Sequence, residues 1–380
     1  MHQHETRDNP EYTAQAIMDA IAGKMTGKRP AGLAGELAGR SILDMGADWL
    51  ASHGVSTRGM NRAQIADAMF STRSAGGPGS YFGARDGGGM LTTSDFPNLL
   101  SGGINHVMLA RYQIGACAIK TVSALHNLPD FRPRTLVRVS ASGLLPKVGE
   151  ADEVTHASRQ DDGQKISLGT YAKMLTYSRQ AMVNDDLGGL ADQANSFADS
   201  SNNTEGTLFA ALLNANGGSG PTLSDGQPMF TTARGNKAAV GGALTIATLD
   251  IARQAIRNTT DFDGKTPLSL TPKYLLVSPA NETAAEQLLT SILATQVSNV
   301  NPFAGKLELL VDARLTGNAW RLFADPSQAP VMAHGYLEGA TGPQIAMRQG
   351  WDRLGMEWRV TLDFGCAAAG WRGAYLNPGQ

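Results

Sequence analysis

The sequence predicts an α+β chain built in segments, on three observations. The first seventy or so residues carry apolar positions at helical spacing and are cut off by a glycine-rich stretch. Two long alternating runs are followed directly by a helix of about 28 residues, and the tail from Leu307 holds one short strand after another. Asn9-Pro10-Glu11 has the form of a helix start: a capping Asn, Pro at the first helical position and an acid in the first turn. Tyr12, Ile17 and Ile21 recur behind it until Gly23. A second helix is expected to carry Leu37, Ser41 or Ile42, Met45 and Trp49, ending at His53-Gly54, and a third to begin at Asn61 with Ile65, Met69 and Phe70 on one face. These helices either pack together or lie on a partner.

Between Ser74 and Gly89, seven of sixteen residues are glycine, a stretch that loses much backbone entropy on ordering and buries almost nothing. It reads as a tether between a mobile or removable front end and a body beginning near Thr92. Leu136-Val137-Arg138-Val139-Ser140 alternates as a half-buried strand does. A polar interval from Lys147 to Asp162 follows, then a second extended run from Lys165 to Tyr177. Together they read as a hairpin with a charged distal end. With about fifteen paired residues per arm it would reach roughly 50 Å at ~3.3 Å per residue. A 300-residue body is only about 50 Å across, and an isolated ribbon is marginal in water. A neighbouring subunit is the natural support.

Asn184-Asp185-Asp186 supplies caps for the next helix, in which Leu187, Leu190, Ala194, Phe197, Leu208, Phe209, Leu212 and Leu213 follow a 3.6 period up to Asn216-Gly217-Gly218. At ~1.5 Å per residue it is a rod of roughly 42 Å. A helix near 247–258, a strand at Tyr274–Val277 and a helix near 281–293 come next. The strands Leu307–Val311, Trp320–Phe323, Val331–Tyr336, Gln344–Met347, Met356–Phe364 and Trp371–Leu376 close the chain.

Composition excludes several classes of function. The formal charge is −2, which disfavours a protein whose main work is gripping phosphates. Two cysteines, Cys117 and Cys366, are too few for a Cys-rich zinc module or a disulfide framework and suit a reducing compartment. No run approaches the ~18–20 apolar residues of a membrane span, and the start has no secretory pattern.

Catalytic motifs are missing. The seven histidines form no HExxH or His-x₃₋₅-His pair; His2 and His4 read as a frayed terminus. Gly35–Arg40 lacks the lysine of a phosphate loop, and the glycine-rich stretch follows no strand and opens no helix. Ser140-Ala141-Ser142-Gly143 lacks the first glycine of a nucleophile elbow. Glu150, Asp152, Glu153, Asp161 and Asp162 have the chemistry to hold a divalent cation, but acids at a hairpin end more often face water or pair with a neighbour's Arg or Lys. Cys117, within Ile114–Ile119, reads as a small packed hydrophobe, as does Cys366. No catalytic residue, cofactor or metal is expected.

A series of short motifs in order carries a family likeness. It runs through Thr93-Ser94-Asp95-Phe96-Pro97-Asn98-Leu99-Leu100, Lys147-Val148-Gly149-Glu150-Ala151-Asp152-Glu153 and Ser178–Gly188. It continues through Asp225-Gly226 with Met229-Phe230, Gly235-Asn236, Ala324-Asp325-Pro326 and Tyr336-Leu337-Glu338-Gly339. Leu362-Asp363-Phe364-Gly365, Arg372-Gly373 and Asn377-Pro378-Gly379 end it. Over roughly 92–380 this order resembles the Mu-like major head subunit of tailed phages and prophages.

The resemblance implies a Hong Kong 97-type capsid fold. Residues 1–74 would be a helical scaffolding-like segment, 75–91 a linker and 92–130 an N-terminal arm bearing Asp95, Phe96, Pro97, Leu99 and Leu100. Residues 131–177 would form the extended hairpin, with Lys147, Glu150, Asp152, Glu153, Arg159, Asp161 and Lys165 at inter-subunit contacts. The spine helix, with Leu187, Leu190, Phe197, Leu208, Phe209 and Leu212, would lie in a peripheral domain at 178–224. Residues 225–330 would be an axial domain and 331–380 a return to the peripheral one. Implied partners are other copies of the chain in pentamers and hexamers, a prohead protease, a portal, decoration proteins and non-specifically held double-stranded DNA, in a virion assembled in host cytoplasm. The fold's namesake joins subunits by Lys–Asn isopeptide bonds, for which Lys147 or Lys165 would serve here. The chain has neither space nor residues for the protease that some fused relatives carry. Competing readings are an encapsulin-like nanocompartment, a tail or decoration protein, and an α/β enzyme with an unrecognised site.

Overall fold

In the computed structural model the described residues are 10–52, 56–70, 96–139, 161–178, 187–262, 264–289, 306–349 and 355–380. Their order begins α1 (Pro10–Thr26), α2 (Gly32–Leu37), α3 (Ile42–Ser52), α4 (Arg62–Phe70) and α5 (Phe96–Ile114). After a 3₁₀ turn at Ala118–Val122 come β1 (Ser123–Leu128), β2 (Arg134–Val139), β3 (Asp161–Ile166), β4 (Gly169–Ser178) and α6 (Leu187–Gly218). Then follow α7 (Ile246–Arg257), β5 (Pro272–Val277), α8 (Glu282–Leu289), β6 (Glu308–Val311), β7 (Trp320–Ala324) and β8 (Met332–Leu337). The chain closes with β9 (Gln344–Gln349), β10 (Gly355–Ala368) and β11 (Ala374–Asn377).

One sheet has the order β1-β8-β10-β4, with β9 also pairing β10, and another the order β11-β7-β5-β6. Strands β2 and β3 make a separate antiparallel ribbon running from Arg134↔Ile166 to Val139↔Asp161. The chain forms two compact units, one from Met1–Gly115, Tyr171–Ser201 and Gly342–Leu362, the other from Ala116–Thr170, Asn202–Thr341 and Asp363–Gln380.

Several elements differ from the sequence reading. The expected second helix is two, α2 and α3, because Ser41 starts a new one: its Oγ accepts from the Asp44 N–H at 3.1 Å while the Asp44 carboxylate accepts from the Ser41 N–H at 3.4 Å. Asn61 caps α4 as expected, with Gln64 completing a reciprocal box. The second extended run is also divided. Only 161–166 pairs with β2; the chain then passes Ser167–Leu168 and β4 enters the sheet beside β10. At that crossing a Cβ on Gly365 would sit 2.1 Å from the Ser167 carbonyl oxygen, so only glycine fits there. Strand β1 has no strong alternation and lay unrecognised within the expected arm; it pairs in parallel with β8, Ser123 opposite Met332. Strand β11 pairs with β7, which places 374–377 in the same sheet as the 225–330 segment rather than apart from it.

The first unit has its core where α1, α3 and α4 meet α5. Ile17, Ile21, Met45, Trp49 and Met69 are buried together with Leu99, Leu100, Ile104, Val107 and Met108, joined by Ala194 and Phe197 of α6 and by Trp358 and Val360 of β10. Residues 99 and 100, expected on a reaching arm, are thus core residues of a helix in their own chain. Helix α5 approaches α1 at a glycine pair. A Cβ on Gly103 would lie 2.9 Å from Ile21 Cγ2 and 3.0 Å from the Met18 carbonyl oxygen, whereas one on Gly102 would meet the Met18 sulfur at 2.5 Å.

The second unit has two apolar layers. Leu275, Val277, Trp320, Leu322, Ala324 and Tyr375 share one sheet face with Leu249, Ala252 and Ile256 of α7 and Ala285 of α8. The other layer encloses a polar seam. Glu205 of α6 is 0 % exposed, accepts from the Tyr336 hydroxyl at 2.8 Å and pairs with the Lys120 ammonium at 3.1 Å, which also reaches the Tyr336 oxygen at 2.5 Å. Removing one member of such a buried pair typically costs about 3–5 kcal/mol. His334 stacks edge-on against Phe209 and Tyr336, with ring centroids 6.0 and 5.8 Å apart. The Ser123 hydroxyl lies 2.7 Å from both the Lys120 carbonyl and His334 Nδ1. A carbonyl only accepts, so the hydroxyl proton goes there and the imidazole donates through Nδ1–H. Burial, then the charges of Lys120 and His126, push His334 down to about 4. Burial, then Glu205, pushes the Cys366 thiol up to about 12, and burial and Asp312 raise Cys117 to about 11.

Two outcomes follow from this packing. Gly103→Ala should destabilise the protein by about 1–3 kcal/mol in chemical denaturation, because backbone and a β-branched stem must give way. Gly102→Ala, which meets only a flexible methionine end, should be near neutral, helped by the ~1 kcal/mol helix preference of Ala over Gly. An unfolded histidine takes up its proton near pH 6.5, while folded His334 does not until about 4. Acid therefore favours the unfolded chain between those values. This contribution is fully present above about pH 6.5 and lost as the pH falls toward 4, by about 3 kcal/mol. His334→Phe should flatten that part of the stability–pH curve relative to the wild-type protein.

Candidate functional site

The expected contact residues divide sharply. Lys147, Glu150, Asp152, Glu153, Arg159 and Asp95 lie outside the described residues. Asp161 stands opposite Val139 at the far end of the ribbon, and Lys165 stands opposite Thr135 with its side chain exposed. Phe96 and Pro97 open α5, while Leu99 and Leu100 are buried in it. Leu187 and Leu190 lie in the first turns of α6; Phe197 and Phe209 are buried, and Leu208 and Leu212 half-buried. Regular helix stops before Ala215, with Asn216 and Gly217 at φ 51° and 65°, as the Asn-Gly-Gly sequence suggested.

The ribbon is fastened at one end only by what is described. Gln164 and Ser224 bond reciprocally, Nε2 donating to Oγ at 2.8 Å and the Ser224 N–H to Oε1 at 3.1 Å. Ile166 and Leu168 are buried with Leu128, Ala333 and Ala369. Beyond that footing Val137 is 56 % exposed, and Leu125 on the neighbouring β1 is 57 % exposed.

Between β1 and β2 opens a cleft of about 380 Å³. Leu128, Leu136, Pro330 and Ala369 supply its apolar lining, and His126, Asn127, Arg134 and Thr135 its polar rim. The rim carries one guanidinium, that of Arg134, and His126 is held below its ordinary range by burial and then by that charge. Sequence reasoning missed this site because its two walls come from strands whose proximity no local pattern reveals. The polar seam around Glu205, by contrast, is buried, with Glu205, His334 and Tyr336 each less than a tenth exposed. Among the described residues no group of His, Cys, Asp and Glu is arranged to hold a metal, and no helix is long and apolar enough to cross a membrane.

The architecture is similar to that of solved capsids. The capsid of Ralstonia phage GP4 matches with a TM-score of 0.50 at 10 % identity, over 68 % of this chain and 87 % of that one. A phage-related protein from Bordetella bronchiseptica RB50 matches with a TM-score of 0.47 at 15 % identity, over 71 % and 95 %. No curated protein matches significantly. The mixed helix-and-sheet body behind a helical front segment is a Hong Kong 97-type fold, and its role is structural. Residues 162–377, more than half of the chain, match the family model described as phage capsid protein, and the chain belongs to that family.

Proposed function

We propose that this chain is the major head subunit of a Mu-like tailed phage or prophage, whose copies tile a closed icosahedral shell around double-stranded DNA. The observation that carries this reading is the β2–β3 ribbon: a two-stranded sheet, marginal alone, fastened at Gln164 and Ile166 and presenting Val137 to solvent. Such a limb gains its missing burial from a neighbouring copy. In this reading α6 is the spine of the peripheral domain and the β11-β7-β5-β6 sheet with α7 and α8 is the axial domain. Many modest contacts made at once hold a closed lattice, and a formal charge of −2 spares it strong self-repulsion. The interior contains DNA without gripping it, and a prohead protease, a portal and decoration proteins complete the head during assembly in host cytoplasm.

The reading implies that expressed protein elutes far above its monomer mass and shows hollow shells in negative stain. Persistently monomeric protein would remove it. Double-stranded DNA in particles from lysed cells separates a phage head from an encapsulin-like compartment, which would hold protein instead. A cut between residues 71 and 91 should leave 10–70 attached non-covalently, because α1, α3 and α4 share their core with α5 and Trp358. Native mass spectrometry of cut particles should therefore retain the fragment and denaturing conditions release it; loss under native conditions contradicts that role for the shared core.

A further inference from the structure

We propose that the cleft between β1 and β2 is an acid-sensitive hinge: a proton on His126 sets a second cation against the Arg134 guanidinium and moves the β2–β3 ribbon away from β1. The hinge belongs to a single chain and does not depend on the shell reading.

The two walls of the cleft are held differently. Strand β1 is paired with β8 along its whole length, from Ser123↔Met332 to Leu128↔Leu337, so that wall is part of a sheet. Strand β2 pairs only with β3 among the described residues and makes no ladder with β1. The ribbon has one fixed point, where Ser167 and Leu168 cross Gly365 with no room for a side chain. Beside that point Gln164 bonds Ser224, and Ile166 and Leu168 are buried. In the connection between β1 and β2 the Arg132 N–H donates to the Asp130 carboxylate at 3.2 Å, a bond local to the turn. On β2 itself Leu136 packs half-buried against the cluster of Leu128 and Ile166, and Arg134 lines the cleft. The spacing of β1 and β2 is therefore set by side chains across the cleft rather than by backbone pairing.

His126 stands half-buried on the β1 wall. Burial, then Arg134, hold it below its ordinary range near 6.5, so at neutral pH the imidazole is uncharged and the walls do not repel. The neighbouring elements bring no compensating acid. His334 of β8 is another base, itself held down by burial, Lys120 and His126. Lys165 on β3 is exposed, and neither Asp130 beyond β1 nor Glu338 beyond β8, both exposed, is among the groups that act on the His126 ring. A closed cleft thus binds this proton more weakly than an open, solvated one, and by reciprocity the proton favours the open arrangement by the same factor. Closure is fully held above about pH 6.5 and weakens progressively as the pH falls.

The test is hydrogen–deuterium exchange of the full-length protein, read by mass spectrometry and corrected for the intrinsic pH dependence of exchange. Peptides covering 134–139 and 161–166 should lose protection about fivefold between about pH 7.5 and about pH 5, while β5 and β7 keep theirs. His126→Gln should abolish the loss. Arg134→Gln should reduce it, because burial alone still opposes the proton, and His334→Phe should leave it in place. Equal protection of the ribbon at both pH values, a loss shared equally by β5 and β7, a loss that persists in full in His126→Gln, or one that disappears in His334→Phe would each overturn the proposal. Should His126→Gln fail to fold, the exposed Arg134 on the opposite wall decides: an undiminished loss in Arg134→Gln overturns the hinge as well.

Discussion

The buried side chains of α6 constrain what packs around each of them. Ala194, Phe197 and Ala198 lie in the core built around α5, and Phe209 and Leu213 are buried within the second unit. Between them the helix carries Ser201, Asn202 and Glu205, all buried. A buried carboxylate is tolerable only with partners, so Lys120 from the 3₁₀ turn and Tyr336 from β8 are drawn to it, and Ser123 and His334 are packed beside them. Arg321 of β7 obeys the same logic at the end of the helix. Its guanidinium donates to the carbonyls of Leu213 and Gly218, where helix carbonyls lack internal partners, and burial pushes it down to about 10.

This polar interior shows why titratable residues in proximity are not by themselves a catalytic site. Ser123 and His334 lie at hydrogen-bonding distance, and Cys366 stands opposite His334 in the β8–β10 ladder. Yet the serine proton is committed to a carbonyl, the imidazole is kept neutral by burial and the thiol is held protonated. Each shift follows first from desolvation, and desolvation here comes with closure. The open feature is elsewhere, in the cleft between β1 and β2, which among the described residues are edge strands.

The front segment also acquires a physical role that its tether-like neighbour sequence hides. Helices α1, α3 and α4 contribute the large side chains that cover α5, and the approach at Gly103 is close enough that a methyl group matters. Surface ion pairs such as Arg111–Asp199, at 3.0 Å and about half exposed, add little beside this burial. Attachment of the segment to the body is therefore a matter of packing rather than of chain continuity.

The local patterns of the chain determined its elements: the helix that begins at Pro10, the capped helix at Asn61, the Asn-Gly-Gly stop of α6 and the strands after Leu307 all lie within a few residues of where periodicity and capping chemistry place them. The ordered motifs pointed to a phage capsid chain, the family whose model residues 162–377 match. Tertiary structure alone decided what each element meets. It turned Leu99 and Leu100 inward, divided the second extended run at Ser167, recruited the unpatterned Ser123–Leu128 as a strand and brought His126 to Arg134 across a cleft. Helix and strand formation is written in spacing of a few residues, whereas burial and pairing depend on which distant segment comes to lie alongside, and no local repeat records that choice.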